Sequence, residues 1–246
     1  MKIIQTENYQ DMSNHAANMI LDRVKTANNI TLGLATGGTP PKKLYDLLVK
    51  EYNDRSVSYR HVTSFNLDEY IGLAKENKNS YYYYMYNYFF QYIDIPKEQI
   101  YLPDGLHDNP SVACQQYDQS ILKNGGIDVQ LLGLGENGHI GFNEPGSSFD
   151  EKTHIVELAD STREANARFF DDITEVPTKA ITMGGISTIM KSKEIIMLVS
   201  GENKKEAFST FLSTDVTNHF PASILKEHPN VTIIVDQDAL GEEFNK

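Results

Sequence analysis

Residues 30–48 read ITLGLATGGTPPKKLYDLL, and this stretch is the strongest indication of the fold. The apolar run Ile30–Leu34 has the length and composition of a buried strand, a turn rich in Gly and Thr follows it, and from Pro41 onward the apolar spacing is helical. A strand joined to a helix by a short turn is the βα unit from which parallel sheets are built.

The same alternation continues along the chain and predicts an α/β protein. We expect strands at Lys2–Gln5, Ile30–Leu34, His61–Leu67, Asp128–Leu134, His154–Leu158, Glu194–Ser200 and Val231–Val235. We expect helices at Tyr9–Ala27, Pro41–Tyr52, Ser80–Phe90, Pro110–Lys123, Ser161–Phe169, Gly185–Lys191, Asn203–Leu212 and Ser223–His228. No linker interrupts the pattern, so residues 1–246 are predicted to form one doubly wound, Rossmann-like domain with a mainly parallel sheet and helices on both faces.

Composition excludes several classes of protein. The 246 residues include 22 Lys and Arg against 34 Asp and Glu, giving a formal net charge of −12, which argues against a nucleic-acid partner. The N-terminus lacks the apolar run of a secretory signal and no stretch is long enough to span a bilayer, so we expect no membrane partner and a cytoplasmic location. The single cysteine, Cys114, permits neither an internal disulfide nor a multi-thiolate metal site.

In open α/β sheets, ligands bind beyond the carboxyl ends of the strands, and three of the predicted strand ends are unusual. The turn at 35–40, ATGGTP, could present backbone N–H groups and Thr hydroxyls to a phosphate at a helix N-terminus, or could be a tight turn that binds nothing. The strand ending in FNL is followed by Asp68-Glu69-Tyr70. Asp68 could act as a base at the rim of the crevice, although a solvated acidic turn is the commoner explanation of such a pair.

A third strand end, at residues 133–146, reads GLGENGHIGFNEPG. Its first glycines match the spacing of the dinucleotide fingerprint, but that fingerprint must open a helix, and Gly and Pro are too dense here for one. A nicotinamide cofactor is therefore disfavoured. The loop also carries an amide, an imidazole and a carboxylate at Asn137, His139 and Glu144, a set suited to moving a proton. His139 and Glu144 lack the spacing and further ligands of a zinc site, so no metal is expected.

The motifs together resemble a known family, the glucosamine-6-phosphate deaminases, also called isomerases. Besides ATGGTP, FNLDEY and GHIGFNEP, the chain carries NSYYYYM, DSTREANARFF, AITMG and SGENKKEA in the family's order and spacing, from about Ile30 to Pro229. The resemblance implies conversion of glucosamine 6-phosphate and water into fructose 6-phosphate and ammonia, without metal or organic cofactor. It leaves open whether the protein forms a homo-oligomer.

The resemblance also assigns roles to residues. His139, supported by Glu144 and Asn137, resembles the group that opens the sugar ring, and Asp68 resembles the base that moves the proton from C2 to C1. Some members carry aspartate where this chain has Asn137, which makes the role of that residue less certain. The implied phosphate ligands are Thr36, Gly37, Gly38, Thr39, Arg168 and Lys204.

Two alternative functions remain at this stage. A 6-phosphogluconolactonase-like hydrolase would share the fold and the phosphate turn without needing Asp68, and a non-catalytic sugar-phosphate sensor would need neither carboxylate. The tyrosines of residues 81–88 would point to all sides of a helix, which favours packing and surface positions over ligand binding. His154 and Val156 stand where allosterically regulated members carry basic residues, which predicts no activation by N-acetylglucosamine 6-phosphate.

Overall fold

The computed structural model describes residues 1–36, 41–183 and 185–240, without the side chain of Pro41. Its strands are β1 (Lys2–Thr6), β2 (Ile30–Leu34), β3 (Val62–Asn66), β4 (Asp68–Tyr70), β5 (Ile100–Tyr101), β6 (Val129–Gly133), β7 (His154–Glu157), β8 (Lys179–Thr182), β9 (Glu194–Val199) and β10 (Val231–Asp236). Its α-helices are α1 (Tyr9–Thr26), α2 (Pro41–Asn53), α3 (Tyr81–Tyr88), α4 (Pro110–Lys123), α5 (Asp160–Ala167), α6 (Gly185–Ile189) and α7 (Lys205–Ser213).

Seven strands form the central sheet, in the order β1-β10-β9-β6-β2-β3-β5, and every pair in it is parallel. From β2 the chain proceeds outward to β3 and β5, and it then returns to place β6 on the other side of β2. The order of strands therefore reverses between β2 and β6. Such a reversal opens a crevice at the carboxyl ends of the two strands, where ligands of doubly wound proteins bind. The predicted α/β fold with a mainly parallel sheet is confirmed.

A second, three-stranded sheet in the order β4-β8-β7 is antiparallel. The segment 154–158, expected among the parallel strands, belongs to this small sheet instead. Strands β4, β5 and β8 were not predicted, because each has only two to four residues and shows too little periodicity. The predicted final helix at 223–228 is a 3₁₀ segment at Pro221–Glu227.

Burial explains why the longer strands and helices could be predicted from the sequence. All residues of β2, β9 and β10 are buried, as continuous apolar runs of parallel strands require. Helix α1 begins where Asn8 accepts a hydrogen bond from the backbone of Asp11, and it buries Met12, Ala16, Ile20 and Val24 on one face. Among the described residues, no helix combines the length and the apolar character needed to cross a membrane.

Candidate active site

A cavity of about 320 Å³ lies at the carboxyl ends of β2, β3 and β6, where the strand order reverses. The segments after these strands form one part of its wall, and α5 with Arg168 and Lys204 forms another. Six of the predicted site residues line it, namely Thr36, Asp68, Asn137, His139, Arg168 and Lys204. Residues that are up to 168 positions apart in sequence thus meet in one place. Gly37, Gly38 and Thr39 lie outside the described residues.

Asp68 opens β4 directly after the carboxyl end of β3, and its side chain reaches the cavity. The residue is only 5% exposed, and its Oδ1 has no hydrogen-bond partner. Burial raises the pKa of the Asp68 carboxyl well above its usual range, and the neighbouring carboxylate of Glu69 raises that pKa further. A buried carboxylate with an unused oxygen and a raised pKa is suited to accept a proton from a bound molecule.

The proton-moving group predicted on the Gly-rich loop is assembled around Glu144. Glu144 Oε2 lies 3.5 Å from Nδ1 of His139 and accepts a hydrogen bond of 2.7 Å from the Asn137 amide. Glu144 Oε1 accepts a hydrogen bond of 2.6 Å from the hydroxyl of Thr162 on α5. Burial would raise the pKa of Glu144, but the contacts with His139, Thr162 and Asn137 outweigh it and lower that pKa to about 2. Glu144 is therefore an ionised neighbour of the imidazole.

Asn137 acts on His139 less directly than expected. Its Oδ1 accepts a hydrogen bond of 3.2 Å from the backbone N–H of His139, and its Nδ2 holds Glu144, so neither atom is bonded to the imidazole ring. Gly135 lies against that ring, because a Cβ there would stand 2.5 Å from the imidazole carbons. The glycine is required for this close approach. Residues 134–153 contain no helix, as their density of Gly and Pro predicts.

The cationic side chains of Arg168 and Lys204 share the cavity with the hydroxyl of Thr36. Lys204 is largely buried; burial lowers the pKa of its ammonium group, which lies 3.8 Å from Glu136, and Arg168 lowers that pKa further. Arg168 is exposed, in contrast to Lys204, and two neighbouring cations at a cavity wall attract an anion placed between them. Within the described part of the chain, no three His, Cys, Asp or Glu side chains converge as a metal site requires.

Comparison with known proteins identifies the family. The family model described as glucosamine-6-phosphate isomerases/6-phosphogluconolactonase matches residues 5–234. The chain belongs to this family.

Curated relatives of this family member are similar over nearly their whole length. A glucosamine-6-phosphate deaminase of Oceanobacillus iheyensis is 54% identical over 98% of this chain and 96% of its own. One of Shouchella clausii is 53% identical over 97% of this chain and 96% of its own. A solved structure of a monomeric glucosamine-6-phosphate deaminase has a TM-score of 0.95 at 44% identity, covering 97% of this chain and 98% of that one. A 6-phosphogluconolactonase of Leishmania guyanensis, with a TM-score of 0.77 at 20% identity and 97% of each chain covered, shows the shared fold alone.

Several residues that line the cavity of this family member were not predicted from the sequence. Tyr81 lines the cavity beside Phe142, with ring centroids 5.9 Å apart, so its ring both packs and faces the site. Thr162 and Asn166 enter from α5. The run of tyrosines carries no signal that singles out Tyr81, and the two residues of α5 look like an ordinary polar helix face. Only the tertiary packing of α3 and α5 brings them together.

Proposed function

We propose that this protein is an enzyme that converts glucosamine 6-phosphate and water into fructose 6-phosphate and ammonia. The observation that carries the proposal is the cavity in which the Asp68 carboxylate, whose Oδ1 has no hydrogen-bond partner, meets the His139 imidazole and two cationic side chains. Curated deaminases that are 52–54% identical over nearly the whole chain support the same reaction. The substrate class is a sugar phosphate.

The phosphate group would bind to Arg168 and Lys204. Each charge-assisted hydrogen bond to the phosphate contributes about 1.5–3 kcal/mol. The hydroxyl of Thr36 adds a neutral donor at the same cavity. Asn66, the last residue of β3, donates a hydrogen bond of 3.4 Å from its Nδ2 to that hydroxyl. Gly37, Gly38 and Thr39 are proposed to complete the phosphate site.

Ring opening would be carried out by His139. Its imidazole takes the proton from O1 of the pyranose and delivers it to O5 as the C1–O5 bond breaks, which yields the open-chain aldehyde. The ionised carboxylate of Glu144 stabilises the positive charge that the imidazole carries between the two transfers. Asn137 helps by holding Glu144 and the backbone of His139.

Isomerisation would be carried out by Asp68. Its carboxylate removes the proton from C2 of the aldehyde while O1 takes a proton from the 2-ammonium group, which gives a cis-enolamine, and the carboxylate then returns its proton to C1. The resulting imine at C2 takes up water, and the amine leaves as ammonia with the ketose as product. Burial, which raises the pKa of Asp68, makes its carboxylate a stronger base than an exposed aspartate.

Two other functions are less well supported. The 6-phosphogluconolactonases among the structural neighbours are 16–21% identical, so they show the fold and not the reaction. A sensor that only binds a sugar phosphate would not need a buried Asp68 with a free Oδ1 in the same site as an ionised Glu144. A cytoplasmic location fits the single, buried Cys114 and stays a prediction, as does the oligomeric state.

The test is to incubate the purified protein with glucosamine 6-phosphate and to measure both ammonia and fructose 6-phosphate. We expect the two products in equal amounts. The same preparation should be assayed with 6-phosphogluconolactone as the competing substrate. Lactone hydrolysis without ammonia release would establish the hydrolase instead, and binding of the sugar phosphate without any product would establish the sensor.

A further inference from the structure

Helix α5 contacts the ring-opening group through one buried hydroxyl. Thr162, in the first turn of α5, is 4% exposed, and its Oγ1 donates a hydrogen bond of 2.6 Å to Oε1 of Glu144. The two residues are 18 positions apart and belong to different segments, since Glu144 lies on the loop after β6. The contact therefore depends on how α5 packs against that loop.

The two oxygens of Glu144 have different donors, and together these donors fix the plane of the carboxylate. Thr162 holds Oε1, whereas Asn137 holds Oε2 at 2.7 Å and leaves it facing His139 Nδ1 at 3.5 Å. Without the Thr162 hydroxyl, a buried oxygen of Glu144 would lack a donor. A buried acceptor without a partner is costly, so the carboxylate would turn away or bind a proton more readily.

The segment that carries Thr162 also carries the proposed phosphate ligand. Arg168 immediately follows α5 and lines the cavity, six residues after Thr162. A second contact fastens the same helix, since Asn166 Nδ2 donates a hydrogen bond of 2.9 Å to the hydroxyl of Tyr70. When α5 is packed as in this structure, Arg168 and the Glu144 carboxylate are in place at the same time.

We propose that Thr162 is a positioning residue for ring opening, whose hydroxyl holds Glu144 in line with His139. Because Thr162 and Arg168 share one segment, binding of the substrate phosphate also favours the aligned carboxylate. The expected effect on kcat rests on the proposed function. The effect on the Glu144 carboxylate can be measured by titration without turnover.

The test compares Thr162→Val, which keeps the shape and removes the hydroxyl, with Thr162→Ser, which keeps the hydroxyl. We expect Thr162→Val to lower kcat for glucosamine 6-phosphate at least 10-fold while KM changes less than 3-fold, and Thr162→Ser to restore most of kcat. A carboxyl NMR titration should show the pKa of Glu144 rising by at least one unit from about 2 in the valine variant, because a donor is lost, and staying low in the serine variant.

Asn166→Ala is the matched control, since it releases α5 from Tyr70 without removing a donor from Glu144. We expect it to raise KM and to leave the pKa of Glu144 unchanged. The proposal would be overturned if Thr162→Val kept full kcat. It would also be overturned if Thr162→Val and Asn166→Ala had the same kcat, KM and Glu144 titration, because Thr162 would then only anchor the helix. If the wild-type protein releases no ammonia while the Glu144 titration responds as expected, the proposed function and the kinetic role of Thr162 both fail, and only its positioning of the Glu144 carboxylate is upheld.

Discussion

Two carboxylates in one site differ in their protonation because their surroundings differ. Asp68 is buried beside Glu69, which raises its pKa, whereas Glu144 lies 3.5 Å from His139 and accepts hydrogen bonds from Thr162 and Asn137, contacts that lower its pKa to about 2. Opposite shifts of this kind assign opposite roles. The group with the raised pKa exchanges protons with the substrate, and the permanently ionised group stabilises a neighbouring positive charge.

Replacing Asp68 by Asn removes the proposed base and leaves the cavity almost the same shape. We expect kcat to fall by about 10³-fold, within the range typical of a lost general base. Exchange of the C2 proton with deuterated solvent, followed by NMR, should disappear. In the wild-type protein the acidic limb of the kcat profile should lie above the ordinary aspartate pKa of 3.8, since activity needs the carboxylate and burial raises its pKa.

His139→Gln serves as the comparison for Asp68→Asn. This variant should slow ring opening and leave the base in place. Substrate supplied partly in open-chain form should therefore restore activity to His139→Gln more than to Asp68→Asn. Retention of full activity in both variants would refute the assignment of roles.

The lowered pKa of Glu144 predicts a dependence of stability on pH. Because the folded-state pKa is about 2 and the ordinary value is 4.5, this carboxylate stabilises the fold above pH 4.5, and the stabilisation is lost as pH falls toward 2. We expect Glu144→Gln to lose this contribution, about 2 kcal/mol. Urea unfolding of both proteins from pH 7 to pH 3 measures it. An equal difference between the two proteins at all pH values would contradict the expectation.

At the scale of elements, the sequence predicted what periodicity and burial determine. The apolar runs of β2, β9 and β10 and the long helices α1 and α4 were all expected close to their observed bounds. The small sheet was not, because β4 reads DEY and its pairing with β8 depends on contacts 110 residues or more apart in the chain. Likewise, the strand end that carries Asp68 could be recognised, but the contact of Thr162 with Glu144 could not, since no local pattern encodes it.

Glu69 joins two elements that shape the site. Its carboxylate accepts hydrogen bonds of 2.9–3.0 Å from the backbone N–H groups of Tyr70, Tyr81 and Tyr82, so it ties β4 to the first turn of α3. The residue is 4% exposed, and burial raises its pKa although these three donors oppose the effect. An acceptor at a helix N-terminus stabilises the helix, and here the helix places Tyr81 in the cavity.

We expect Glu69→Gln to lower the free energy of unfolding by about 2 kcal/mol, because an amide cannot accept all three hydrogen bonds. Ser80→Ala is the control, since it removes the α3 N-cap bond to the backbone of Tyr83 at a cost of about 1 kcal/mol without changing charge. Denaturant unfolding measures both. Glu69→Gln should also move the acidic limb of the kcat profile to lower pH, as a negative charge beside Asp68 is lost, whereas Ser80→Ala should not. A limb that stays in place would mean that Glu69 acts only on the helix.

At the scale of the whole molecule, a protein of net charge −12 is proposed to bind a phosphorylated sugar. The total charge predicts that nucleic acid is not a partner, but an anion site depends on the few groups that face it. Arg168 and Lys204, which the family resemblance implies as phosphate ligands, line one cavity with Thr36, and their binding of phosphate stays a prediction. Total and local charge can be separated by removing one lysine charge at the cavity and, in a second variant, one lysine charge away from it.

Lys204→Met and Lys123→Met change the net charge by the same amount, but only Lys204 lines the cavity, whereas Lys123 lies exposed at the end of α4. We expect Lys204→Met to raise KM for glucosamine 6-phosphate by about 10- to 100-fold, as for the loss of one charge-assisted bond to phosphate. Lys123→Met should leave KM unchanged. Steady-state kinetics at fixed ionic strength measure both variants. If the two raise KM equally, the general charge of the protein governs binding and the proposed phosphate site is wrong; if only Lys204→Met does so, local geometry overrides the acidic total.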